Sequence, residues 1–234
     1  VGQNKLERFA ELNEFDNVFQ PAFDDTFRKD WVLKGKWHKE IFKNDNPIVL
    51  ELGCGKGEYT VGLGKRYPDK NFIGIDIKGN RMWVGAKEAL ENDMNNIRFL
   101  RTRIEIIESF FAENEISEIW ITFPDPQLKR GKKRLTSARF LNAYKTFLRK
   151  DGVVHLKTDN RELHDFTNEI AKLNNLSVVA KETDLYNSDI DSDILAIKTY
   201  YEQQYLNQGL PITYIQFGLN NNELINPPFD KEEK

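Results

Sequence analysis

Ile48-Val49-Leu50-Glu51-Leu52-Gly53-Cys54-Gly55-Lys56-Gly57-Glu58 is the stretch that decides the fold. Its first five residues form a short, nearly continuous apolar run, introduced by the turn signal Asp45-Asn46-Pro47 and stopped by glycine. Such a run reads as a strand buried on both faces of a sheet. The glycines behind it permit positive φ and close approach of backbone to a ligand. A helical pattern then covers 58–67 and ends at Pro68. Outward from there the alternation continues. Strands are expected over 71–77, 97–100, 119–123, 153–157, 177–180 and 212–217, and helices over 81–94, 104–113, 137–148 and 161–173. Strands separated by helical patterns of this length predict βαβ units, hence an α/β fold with a seven-stranded, mostly parallel sheet and helices on both faces. Ligands of such sheets bind beyond the carboxyl ends of the strands.

The glycine turn excludes two common ligands. A Walker phosphate loop needs Lys followed by Ser or Thr, and Lys56 is followed by Gly57. The dinucleotide fingerprint needs its last glycine where Glu58 stands, and Glu58 would repel a pyrophosphate. Asp76 ends the second strand about 20 residues after the turn, the spacing of an acid that accepts bonds from ribose hydroxyls. An adenosine-like ligand without a polyphosphate suits these groups. S-adenosylmethionine fits, with its ribose on Asp76, its amino-acid part over Gly53 and Gly55, and its sulfonium near carboxylates. The bland alternative is a tight strand–helix turn and nothing more. Cys54 admits a nucleophile, but no histidine lies near it in sequence, and a small packing residue is the simpler reading.

The composition limits the class. Of 234 residues, 39% are apolar and 30% charged, with 16 Phe, 8 Tyr and 4 Trp, enough for a core and too aromatic for a disordered chain. One cysteine excludes an internal disulfide and a multi-cysteine zinc site, so no metal is expected. No apolar stretch is long enough to span a membrane. Residues 1–10 lack the apolar core of a secretory leader, and a cytoplasmic location is expected. The net charge of −3 hides an uneven distribution. Between Leu128 and Lys150 there are Lys129, Arg130, Lys132, Lys133, Arg134, Arg139, Lys145, Arg149 and Lys150, and no acid. The balancing acids fall mainly over 184–193 and 230–233. An acid-free basic window is the electrostatic footprint of nucleic-acid binding, or else a solvated helix face. Residues 1–45 read as a partly basic N-terminal extension, 46–220 as the catalytic domain and 221–234 as an acidic tail.

The strand over 119–123 delivers Phe123-Pro124-Asp125-Pro126-Gln127-Leu128-Lys129 into that window. Two prolines stiffen the turn around one acid. Together with Glu51-Leu-Gly-Cys-Gly-Lys-Gly57, Gly74-Ile-Asp76, Lys157-Thr-Asp159 and Thr199-Tyr-Tyr-Glu202, the chain closely resembles the bacterial tRNA (guanine-N7-)-methyltransferase family over about residues 45–220. The resemblance implies a Rossmann-like class I methyltransferase fold, S-adenosylmethionine as donor (leaving S-adenosylhomocysteine), and a guanosine of the tRNA variable loop as acceptor. It places Glu51, Gly53, Gly55, Asp76, Arg103, Ile104 and Asp125 around the cofactor. It makes Asp125 the active-site acid at the cofactor–guanine junction, and Lys129, Asp159, Thr199, Tyr200, Tyr201 and Glu202 substrate-binding residues. Gln127 stands where the family commonly has Trp, and Arg103 where it has Asp or Asn. Arginine only donates, so adenine would be held by backbone and by packing on Ile104. Tyr200 and Tyr201 either stack on a base or pack; packing is the expectation. No obligate protein partner is inferable. The rival readings are a methyltransferase of another substrate and an RNA-binding module without catalysis.

Overall fold

The computed structural model describes residues 2–190, 197–219 and 223–228. By packing, the chain forms two compact units, 1–116 and 117–234.

The first unit contains four strands in the order β1 (Val18–Phe19), β4 (Ile97–Arg101), β3 (Asn71–Asp76), β2 (Ile48–Leu52), all parallel to their neighbours. Every residue of β2 is buried, as its unbroken apolar run predicts. Helix α1 covers Gly2–Leu12, α2 Glu58–Arg66 and α3 Gly79–Glu91. The first 45 residues, expected as an extension without periodicity, supply α1 and β1. They also supply Phe19, Trp31 and Trp37, whose rings meet one another and those of Phe42, Phe110 and Phe111 at 5.3 to 6.5 Å. Aromatic density, rather than a repeating pattern, was the signal there. The helix expected over 104–113 is instead a 3-10 segment, Ile104–Ser109, kinked at Ile106. Beyond it, Trp31 N–H takes the Ser109 oxygen at 2.8 Å and Trp37 Nε1–H takes that of Phe110 at 2.9 Å, the two carbonyls a helix would offer to residues 113 and 114 if it ran on.

The second unit contains β5 (Ile116–Thr122), β6 (Leu148–Thr158), β8 (Thr213–Gly218) and β7 (Val178–Glu182) in that order. Here β8 runs antiparallel to both β6 and β7. Eight strands are therefore described instead of seven, β1 being the addition. Helices α4 (Ala138–Lys145), α5 (Arg161–Leu173) and α6 (Tyr200–Asn207) belong to this unit. In α5, Leu163, Phe166, Thr167, Ile170 and Ala171 are buried, one stripe at helical spacing, and the Asn160 side chain caps its start by accepting from Leu163 N–H at 2.8 Å. Most of the tail over 221–234 and the acids Asp191 and Asp193 lie outside the described residues.

Candidate active site

The glycine turn is built almost entirely from backbone. Gly53, Gly55 and Gly57 have φ of 76°, 57° and 76°, where a side chain is strained. Gly53 and Cys54 N–H both donate to the Ile75 carbonyl, at 2.8 and 3.0 Å, which ties the turn to β3. Gly55 N–H donates to Asp76 Oδ2 at 2.9 Å and Lys78 N–H to Oδ1 at 2.8 Å. The half-buried carboxylate is thus aimed by two backbone donors, and an anionic carboxylate has further lone pairs to offer. A Cβ on Gly53 would meet nothing within 4 Å, and one on Gly55 only the Gly53 oxygen at 4.0 Å. That open cradle beside an acid fits an adenosine-type ligand whose ribose hydroxyls donate to Asp76.

Gly57 does a different job, and the sequence did not distinguish it. A Cβ there would lie 2.8 Å from the Phe99 ring and 3.3 Å from Gly85 Cα. Gly57 and Gly85 are both small so that α3 can lie against the turn. Glu51 is 4% exposed and accepts from the backbone N–H and the hydroxyl of Thr60, so it caps the first turn of α2. Burial, followed by the charges of Glu51 and Asp76, pushes the Cys54 thiol well up, which leaves it protonated and favours its packing role. Arg103 is exposed and lies 5.2 Å over the ring of Phe23, which stacks on Phe27 at 4.9 Å. Phe23 is therefore a neighbour of the expected adenine position that its distance in sequence concealed. Ile104, next in the chain, is half-buried.

In the second unit β5 ends on the proline loop. Phe123 N–H donates to the Lys157 carbonyl at 2.8 Å. Phe123 and Gln127 both have positive φ, 47° and 46°, so the loop is strained on either side of Pro124-Asp125-Pro126. Asp125 is exposed and accepts from Gln127 N–H at 3.0 Å. Lys129, Arg130, Lys132, Lys133 and Arg139 are exposed. Three members of the basic window are not free. Arg134 is 3% exposed, Lys145 donates to the Glu223 carbonyl, and Arg149 is paired with Asp151 at 3.0 Å.

Asp159 follows β6, and burial raises its pKa. It faces Tyr205, whose hydroxyl pKa is raised by burial and then by Asp159 and Tyr201. Tyr205 also stacks on Phe123 at 6.0 Å, joining α6 to the proline loop, a contact that no local sequence pattern signals. Thr199 and Glu202 form a capping box at the start of α6. Glu202 and Lys157 are fully buried and paired at 2.6 Å, with the Tyr186 hydroxyl on the same carboxylate at 2.5 Å. Both therefore face inward. Tyr200 and Tyr201 are 54% and 48% exposed and meet edge to face at 5.7 Å, so they are more open than the packing expected of them.

Comparison with known proteins identifies the family and the fold. Residues 45–215 match the family model described as "Putative methyltransferase". The chain is 54% identical, over 99% of its length and 92% of the relative's, to the tRNA (guanine-N(7)-)-methyltransferase of Bacteroides fragilis. It is 53% identical to that of Christiangramia forsetii, over 92% of this chain and 97% of the relative. Among solved structures, the 16S rRNA methyltransferase KamB superposes with a TM-score of 0.60 at 13% identity, covering 77% of this chain and 91% of the other, which establishes the α/β methyltransferase fold. The chain belongs to the tRNA (guanine-N7-)-methyltransferase family.

Proposed function

We propose that this protein transfers the methyl group of S-adenosylmethionine to N7 of a guanosine in the variable loop of tRNA, and that it works in the cytoplasm. The support that carries most weight is identity above 50% over nearly the whole chain to relatives so named. Among the described residues no helix is long and apolar enough to cross a membrane.

Bound at the glycine turn, the cofactor supplies an activated methyl on a cationic sulfur. Asp76 would hold its ribose, the open cradle at Gly53 and Gly55 its amino-acid part, and Phe23, Arg103 and Ile104 would border its adenine. Guanine N7 is an unprotonated acceptor, so no side chain has to remove a proton before attack. The protein's residues then act by alignment and by charge. Asp125 stabilises the positive charge that develops on the guanine ring and accepts from its N1–H and N2–H. Asp159 binds the guanine as a carboxylate. Lys129, Arg130, Lys132, Lys133 and Arg139 neutralise phosphates, and Tyr200 and Tyr201 offer rings to a base. Glu51, Thr199 and Glu202 support these groups from inside.

Incubation with labelled S-adenosylmethionine and purified tRNA, followed by nucleoside analysis, should yield N7-methylguanosine. Another methylated nucleoside, or none, would reject the assignment. Asp125→Asn should lower kcat by about 100-fold or more, the scale on which loss of an electrostatic contact to the transition state is felt. Unchanged turnover would remove Asp125 from the mechanism.

A further inference from the structure

We propose that Arg134 is a positioning residue for Asp125, and that its buried guanidinium clamps the proline loop through the Pro126 carbonyl. The inference rests on the role given to Asp125 above. Sequence alone places Arg134 among cations available to RNA, but it is 3% exposed. Its Nε donates to the Pro126 oxygen at 3.0 Å and its Nη2 to Glu162 Oε1 at 2.6 Å. Its flat face lies 4.4 Å over the Phe166 ring. Three anchors thus fix one side chain. Glu162 and Phe166 sit on α5, a rigid helix, so the clamp ties the loop to a fixed element.

The loop needs such a clamp. Phe123 and Gln127, at φ 47° and 46°, sit where residues other than glycine stay only if their surroundings hold them. Proline has no N–H, so Pro124 and Pro126 cannot donate backbone bonds to stabilise that shape. The Phe123 end is held by its bond to the Lys157 carbonyl and its stack on Tyr205. At the other end the Pro126 carbonyl is the handle, and Arg134 grips it. Lysine could not replace it, because only a guanidinium donates in two directions from one plane while stacking on an aromatic ring.

The test is Arg134→Lys in the full chain, assayed with purified tRNA and S-adenosylmethionine. The expected result is a fall in kcat of about tenfold or more, since small misplacements of a reacting group cost rates on this scale. The KM of either substrate should change by less than about twofold, as for a group that does not itself bind substrate. The salt dependence of tRNA binding should be unchanged, and amide exchange over 123–127 should accelerate. A kcat left intact, with or without a change in the KM for tRNA, would overturn the proposal, because a clamp on Asp125 must act on the chemical step. Glu162→Gln alters an exposed side chain and should show the same kcat effect at smaller amplitude. If Arg134→Lys fails to fold, a wild-type kcat in Glu162→Gln overturns the proposal. Asp125→Asn is measured alongside. Full turnover there defeats the role of Asp125 itself; lost turnover there with full turnover in Arg134→Lys defeats only the clamp.

Discussion

The glycine turn and the proline loop are both strand-to-loop junctions, yet they are held in opposite ways. The turn is fixed by backbone bonds inside its own strand–turn–helix segment and by the next strand, and its open positions carry no side chain at all. The proline loop is fixed by side chains, Arg134 from eight residues beyond Pro126, itself anchored on Glu162, and Tyr205 from far along the chain. A site that must admit a small ligand gains from missing side chains. A site that must present one carboxylate at a set angle gains from being gripped. The first kind leaves a signature in local sequence; the second does not.

The contrast can be strained most severely at the buried ion pair beneath the second region. Burial lowers the Lys157 pKa, and Glu202 opposes that shift. Glu202→Gln should therefore remove the counter-charge of a buried cation and cost about 3–5 kcal/mol in denaturant unfolding. If Glu202 served tRNA directly, stability would hold and the KM for tRNA would rise instead.

A smaller and sharper comparison lies within the glycine turn. Gly57→Ala meets both a positive φ and the Phe99 ring, and should lower stability by about 2–4 kcal/mol. Gly53→Ala meets only the positive φ, and should cost about 1–2 kcal/mol. Its main effect should be weaker uptake of S-adenosylmethionine by calorimetry, because the added methyl enters the cradle. Equal losses of stability would show that the turn does not divide into a packing glycine and a binding glycine.

The last effect, spread over more than two pH units, concerns protonation. His164, on α5 behind the clamp, is 1% exposed; burial chiefly lowers its pKa from 6.5 to about 4. The unfolded chain takes up this proton first as the pH falls. Stability should be complete above about pH 6.5 and decline towards pH 4, by about 1–3 kcal/mol. A His164→Gln melt series should flatten across that window; an unchanged slope would place the acid sensitivity elsewhere.

Much of the frame was legible because its signals are local. The apolar run of β2, the glycines after it and Asp76 at its spacing all act within one βαβ unit, and the structure joins Gly55 to Asp76 directly. The stripe on α5 was equally plain. The early end of the helix expected over 104–113 was not legible, since Trp31 and Trp37 claim the Ser109 and Phe110 carbonyls from dozens of residues away. Nor was β1, whose two residues have no period to read and become a strand only by pairing with β4.

By itself, the sequence determined the alternation of strands and helices, the glycine turn with its spaced acid and the resemblance to one family. These follow from patterns that neighbouring residues impose on the backbone. The tertiary structure alone decided which cations of the basic window stay exposed and which are buried or paired. It also turned Glu202 and Thr199 inward and gave Gly57 a packing role. Charge and residue type are written in the chain, but burial and the partner each group finds are set only when distant segments meet.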